Sequence, residues 1–218
     1  MKRLKVIACE VSFRELSFCA SKVDNIIDFT FMPRKLHIVG SKNMRETLQS
    51  EIDNVDIDKY DAILLAYGLC GCGVVGLTSE LPIIIPKAHD CISFLLGSRE
   101  KYSDLKMLYP KAFYFSSGWI ERDIIPNDNT LSESFDMYKS MIDDVIFINT
   151  SVGNIGTYRS EINEFAKNLE ANYTEINGDG SLLFNFLNGD WDEDYFTIVE
   201  PDCEIMATND DNIIGFKI

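Results

Sequence analysis

Short apolar runs that end in glycine or proline alternate with amphipathic stretches along this 218-residue chain. Continuous apolar runs of this length are typical of strands buried on both faces, and helical spacing in between indicates crossover helices. The runs are RLKVIA at 3–8, YDAILLAYG at 60–68, LPIIIP at 81–86 and DDVIFINTSVG at 143–153. The alternation predicts an α/β fold with a mostly parallel sheet and flanking helices, Rossmann-like in arrangement.

The length allows one domain or two small lobes around a common core. The segment 120–142 is polar at first and helical later, and we interpret it as the crossing between two halves. The strand-then-glycine pattern at 143–153 repeats that of the first half. We therefore predict a single domain over 1–218 and leave open whether 1–120 and 143–218 form two similar lobes within it.

Local signals also predict a strand at 35–40 (KLHIVG), where a glycine ends the run. A helix is predicted to follow from Ser41, with apolar residues at helical spacing. Asp90 is predicted to cap the helix that follows LPIIIP. Another strand is predicted at 111–119 (KAFYFSSGW).

The charge balance and the hydropathy exclude two classes of partner. With 35 acidic against 20 basic residues the net charge is −15, which opposes a nucleic-acid backbone and an anionic membrane surface. The N-terminal apolar run breaks at Glu10, too early for a signal peptide, and no later run reaches the roughly 18 apolar residues of a membrane span. We expect a soluble cytoplasmic protein that binds neither nucleic acid nor membrane, and the sequence leaves its oligomeric state open.

Soft metal ligands follow three of the predicted strands. Cys9 ends the first strand, Cys70 follows YDAILLAYG, and His89 and Cys91 follow LPIIIP. Functional crevices of parallel sheets lie beyond the carboxyl ends of the strands, so these four side chains converge if the strands are adjacent. Thiolates with one imidazole are a zinc ligand set that also accepts iron or cobalt.

The spacing leaves a plainer alternative open. The CGC of Cys70 and Cys72 is not the C-x-x-C of a zinc knuckle, and the glycines around it match neither a dinucleotide fingerprint nor a P-loop. Any single cysteine can simply be a small buried hydrophobe, and we interpret Cys19 and Cys203 in this way. His37 lies inside a predicted strand and is interpreted as structural.

Four further residues are candidates for chemistry near these ligands. Glu10 and Asp90 can orient metal ligands or act as a catalytic base. Tyr67 and Arg99 are the candidates to hold a substrate. Trp119, which follows a glycine at a strand end, can line a pocket or fill the core.

Several sequence blocks together resemble the DUF1638 family. They are YGLCGCGVVGL, LPIIIPKAHDCISFLLGSREKY, SSGWIE and LNGDWD. Cys9, Cys70, His89 and Cys91 match motif positions, whereas Cys72 stands where the family has asparagine or another polar residue. The resemblance implies a small cytoplasmic protein, often found near corrinoid-dependent methyltransferase systems, and it implies no established activity.

Three hypotheses follow. The leading one is a zinc-binding protein with Cys9, Cys70, His89 and Cys91 as the ligand pool, acting in methyl-group, thiol or one-carbon chemistry on a small molecule. The second is an accessory or carrier protein that delivers a corrinoid, a metal ion or an iron–sulfur cluster to a methyltransferase system. The third is a metal-free thiol enzyme in which Cys70 is the nucleophile and His89 the base.

Overall fold

The structure is a computed structural model that describes residues 1–37, 39–122, 139–210 and 212–217. Its strands are β1 (Arg3–Cys9), β2 (Ile26–Met32), β3 (Ala62–Ala66), β4 (Ile83–Pro86), β5 (Ala112–Phe115), β6 (Asp144–Asn149), β7 (Asn172–Asn177), β8 (Phe196–Val199), β9 (Glu204–Ala207) and β10 (Ile214–Lys217). Its helices are α1 (Phe13–Ala20), α2 (Ser41–Asp53), α3 (Cys91–Leu96), α4 (Arg99–Leu108), α5 (Ser117–Glu121), α6 (Ile155–Leu169) and α7 (Ser181–Asn188).

The larger sheet has the strand order β2-β1-β3-β4-β8, in which the first four strands are parallel and β8 is antiparallel to β4. A second sheet, β5-β6-β7, is parallel throughout, and β9 pairs with β10 in an antiparallel ribbon. The predicted α/β fold with a mostly parallel sheet is confirmed. Each of these two sheets contains strands from both halves of the chain: β5 from the first half pairs with β6, and β8 from the second half pairs with β4.

Apolar side chains cover both faces of the larger sheet. One face packs with α1, α3 and α7 against the inner side of the second sheet. The opposite face packs on α2 and on the β9–β10 ribbon. The outer side of the second sheet is covered by α5 and α6. The carboxyl edge of the larger sheet therefore lies between these packed layers.

The sequence predicted most of these elements, with one clear error. The strands at 3–8, 60–68 and 81–86 are confirmed as β1, β3 and β4, and α2 begins at Ser41 as predicted. The strand predicted at 35–40 is wrong: residues Arg34–His37 form a 3-10 turn, and the strand is β2, which ends just before Pro33. Most of the predicted crossing at 120–142 lies outside the described residues.

No helix in the described part of the chain is long and apolar enough to cross a membrane.

A buried carboxyl group joins α1 to the second sheet. Glu15 of α1 is 1% exposed, and its Oε1 accepts hydrogen bonds from the hydroxyls of Ser117 and Thr150. Its other oxygen, Oε2, has no partner among the described residues. Burial raises the pKa of Glu15, although the two hydroxyls oppose the shift, so the neutral acid is favoured in the fold.

Replacing Glu15 with glutamine is expected to change how stability depends on pH. Because the folded-state pKa lies above the unfolded one, the contribution of Glu15 is fully present below about pH 4.5 and is lost as pH rises through the folded pKa. In urea unfolding at pH 5 to 8, the free energy of unfolding of Glu15→Gln should increase relative to that of the wild type as pH rises, by at most about 1.4 kcal/mol per pH unit. A stability difference that stays constant with pH would contradict this.

Candidate thiol site at the sheet edge

Three cysteines lie at the carboxyl edge formed by β1, β3 and β4, which are adjacent and parallel. Cys9 is the last residue of β1, Cys70 begins the turn beyond β3, and Cys91 begins α3 beyond β4. Cys9 and Tyr67 belong to the same apolar cluster, and both other cysteines pack against it. A charge on Cys9 or Cys70 would raise the pKa of Cys91, so the sulfurs lie within electrostatic reach of one another.

Two backbone hydrogen bonds clamp the loop after β3 to the loop after β4. Leu69 N–H donates to Ala88 O at 2.8 Å, and Cys70 N–H donates to His89 O at 3.0 Å. This approach requires a glycine at position 68, because a Cβ there would lie 2.7 Å from both Ala88 O and the Asp90 nitrogen. The clamp therefore sets the position of the Cys70 turn relative to the start of α3.

The turn that carries Cys70 has an unusual backbone. Cys70, Gly71 and Cys72 have φ angles of 43°, 63° and 66°, so three consecutive residues lie in the left-handed region. Glycine adopts this conformation freely, but each cysteine does so at a cost on the order of 1–2 kcal/mol. Strain of this kind clusters at functional sites, and here it coincides with the thiol-bearing loop.

The protein environment keeps all three thiols protonated at neutral pH. Burial raises the pKa of Cys9 to about 11 and that of Cys70 to about 12. Burial also raises the pKa of Cys91 well above its usual value, and the Asp90 carboxylate adds to the shift for both Cys70 and Cys91. None of the three is therefore an activated nucleophile in this environment.

Two buried donors lie beside the thiols without acceptors. Tyr67 is 2% exposed, and its hydroxyl has no hydrogen-bond partner within the described ranges. The Nε1 of Trp119 also has none there, yet it is close enough to Cys91 to favour the thiolate and so lower that pKa. Trp119 is held in place by Gly118, which lies directly against Val11 after β1.

The imidazole that contacts a cysteine is His37. It ends the turn Arg34–His37, and its Nε2 lies 3.5 Å from the Sγ of Cys9. Its ring is 6.3 Å from the ring of Tyr67. Burial lowers the pKa of His37, with the Asp90 charge opposing, so the ring is neutral near pH 7.

Glu10 connects the His37 turn to the end of β1. Its Oε1 accepts a hydrogen bond from the Arg34 backbone N–H at 2.9 Å, and its Oε2 lies 3.7 Å from Arg122 Nε. Glu10 is thus engaged in positioning the turn.

Asp90 caps α3. Its carboxylate accepts from the Ser93 backbone N–H at 2.9 Å and from the Tyr102 hydroxyl. The prediction of Asp90 as N-cap is confirmed. Both carboxylates expected at the site therefore hold loops that carry the thiols or His37.

The side chains of His89 and Arg99 make other contacts. His89 is exposed, and its ring stacks on Tyr102 with centroids 5.9 Å apart. Arg99 begins α4, where its Nε lies 3.7 Å from a carboxylate oxygen of Glu100. Of the residues expected at the site, the structure brings together the three cysteines, Tyr67 and the two carboxylates.

Sequence reasoning missed His37 and left Trp119 undecided. The signal for His37 was Pro33, which ends a strand and makes a continuing strand at 35–40 implausible. The signal for Trp119 was Gly118, because a glycine at a strand end indicates a close approach of two backbone segments.

The side chains do not form a complete metal cage. Among the described residues, no group of three or more His, Cys, Asp and Glu side chains is placed to hold a metal ion. Cys9 and His37 are in contact, whereas Cys70 and Cys91 lie nearby without completing a shared centre. Metal binding at this edge therefore requires rotation of cysteine side chains.

Fold and site together define an α/β protein with a thiol-lined edge on a parallel sheet. A family model described as "Protein of unknown function (DUF1638)" matches residues 31–187, which is more than half of the chain. The chain therefore belongs to the DUF1638 family. The match includes Cys70, Cys91 and Trp119 and begins after Cys9. Comparison with curated proteins and with solved structures gives no significant match.

Proposed function

We propose that the protein binds a thiophilic metal ion, most simply zinc, through Cys9, Cys70 and Cys91. One observation carries the proposal: the buried thiol of Cys9 and the half-buried thiols of Cys70 and Cys91 meet at one sheet edge, beside two buried donors that have no hydrogen-bond partner among the described residues. Sulfur ligands select zinc or iron over magnesium and calcium, which prefer oxygen.

A bound cation would resolve two unfavourable features of the site. The thiols are held neutral by burial, and coordination would deprotonate them outright because the metal charge outweighs the desolvation of the thiolate. Metal-bound thiolates accept hydrogen bonds from neighbouring donors. The Tyr67 hydroxyl and Trp119 Nε1 are available for that purpose.

Bound zinc supplies Lewis acidity, which lowers the pKa of a coordinated water or thiol. The chain's own residues would hold the ion, exclude bulk water and stabilise the thiolates. Involvement in methyl-group chemistry, a corrinoid system or iron–sulfur delivery stays a prediction from the family resemblance. The Rossmann-like arrangement and the division into two lobes stay predictions from the sequence pattern. The metal-free hypothesis has less support, since the Cys70 pKa is raised and His89 faces Tyr102.

Substitution of the proposed ligands is expected to remove the metal. Protein purified without oxygen should contain stoichiometric zinc or iron by elemental analysis, and Cys70→Ser should lose nearly all of it because serine is a poor ligand for a soft ion. Cys72→Ser is the matched control, two residues away and exposed. Cys19→Ala is a second control, since Cys19 lies in the cluster on the opposite face of the sheet.

Two results would contradict the proposal. One is wild-type protein that contains no zinc, iron or cobalt and binds none when titrated anaerobically. The other is Cys70→Ser that retains as much metal as Cys72→Ser.

A further inference from the structure

We propose that His37 is the fourth ligand of this site, giving a Cys3His set in which His37 and Cys9 are already in place. The inference rests on the proposed function, because it concerns the same metal centre. His37 was expected to be structural and His89 to be the ligand, so the inference reassigns the imidazole. The chain contains only these two histidines.

The distance between the two atoms fits a shared tetrahedral ion. With Zn–S near 2.3 Å, Zn–N near 2.0–2.1 Å and a tetrahedral angle, the sulfur and nitrogen of two ligands are separated by about 3.6 Å. Cys9 Sγ and His37 Nε2 are 3.5 Å apart. The pair can therefore bind one ion without backbone movement.

The approach of His37 to Cys9 is held by contacts outside the site. Glu10, the neighbour of Cys9, accepts a hydrogen bond from the Arg34 backbone at the start of the turn that carries His37. Leu36 N–H donates to Pro33 O at 3.1 Å and closes the turn. Glu10 is thus a positioning residue for His37.

A fourth protein ligand changes what the site can do. Closed four-coordinate zinc sites are structural, whereas catalytic sites keep one position for water or substrate. A Cys3His set would leave no open position while His37 is bound. A small molecule could then take a position in a four-coordinate site only by displacing one of the four ligands.

The test compares His37→Ala with His89→Ala in full-length protein loaded anaerobically with Co²⁺ alone. We expect His37→Ala to weaken metal binding by at least about 100-fold, beyond the 10- to 100-fold typical of losing an outer-shell partner. Its d–d bands should weaken as water enters and the coordination number rises, and added imidazole should restore them. His89→Ala should bind and absorb like the wild type.

His37→Cys guards against a misfolded alanine variant, because a thiol can replace the imidazole as ligand. It should bind Co²⁺ with a stronger thiolate-to-metal charge-transfer band than the wild type. If the wild type binds Co²⁺ and both His37→Ala and His37→Cys match it in affinity and spectrum, the inference is overturned while the proposed function stands. Failure of the wild type to bind any metal would overturn both.

Discussion

Gly118→Ala is expected to unfold the protein or destabilise it by at least about 3 kcal/mol. A Cβ at this position would lie 1.7 Å from the Val11 carbonyl oxygen and 2.4 Å from its carbonyl carbon. Both are backbone atoms of the turn Glu10–Ser12, so relief requires α5 to move away from that turn. Since domains are stable by only about 5–15 kcal/mol, the loss is a large fraction of the total.

Urea unfolding followed by circular dichroism measures the effect, and Gly156→Ala is the matched control. Gly156 lies in α6, where the nearest atom to a new Cβ is Asn154 Oδ1 at 3.7 Å. Alanine there should be neutral or stabilising by up to about 1 kcal/mol. If Gly118→Ala unfolds at the same urea concentration as Gly156→Ala, the close packing of Gly118 against Val11 is contradicted.

The sheet that carries the site could be predicted because its strands are strongly apolar. β3 and β4 are buried at every residue, and such runs identify central strands of a parallel sheet without knowledge of their partners. Their order could not be derived in this way, because β1 and β3 are neighbours in the sheet although β2 and α2 lie between them in the chain. The sequence therefore placed Cys9, Cys70 and Cys91 at strand ends, whereas their convergence depends on the pairing of β1 with β3 and of β3 with β4.

The edge strand β2 and the position of His37 could not be predicted, because no strongly apolar run marks them. β2 is rich in the strand-forming residues Ile, Phe and Thr, but it is half-buried along most of its length and lacks the continuous apolar run of β3 and β4. Missing β2 moved the expected strand to 35–40 and placed His37 inside it. His89 lies in the loop before α3 and its ring stacks on Tyr102 of α4, a contact that local sequence spacing cannot reveal.

Gly68→Ala is the second substitution expected to have a large effect, because it should reduce both the stability of the fold and metal binding at the site. Its Cβ would meet Ala88 O and Asp90 N at 2.7 Å and Asp90 Cα at 2.9 Å, all in the loop that leads to Cys91. Relief should separate the two loops and break the hydrogen bond from Cys70 N–H to His89 O. We expect a loss of about 2–3 kcal/mol in stability together with loss of bound metal.

Gly180→Ala and Cys70→Ser separate these two consequences. A Cβ at Gly180 meets nothing within 4 Å, so that variant should keep both stability and metal. Cys70→Ser should lose the metal while the clamp, which uses only backbone atoms, remains intact. If Gly68→Ala instead keeps the metal at wild-type affinity, Cys70 and Cys91 do not need this register to bind one ion, and the strained turn at Cys70 would need another explanation.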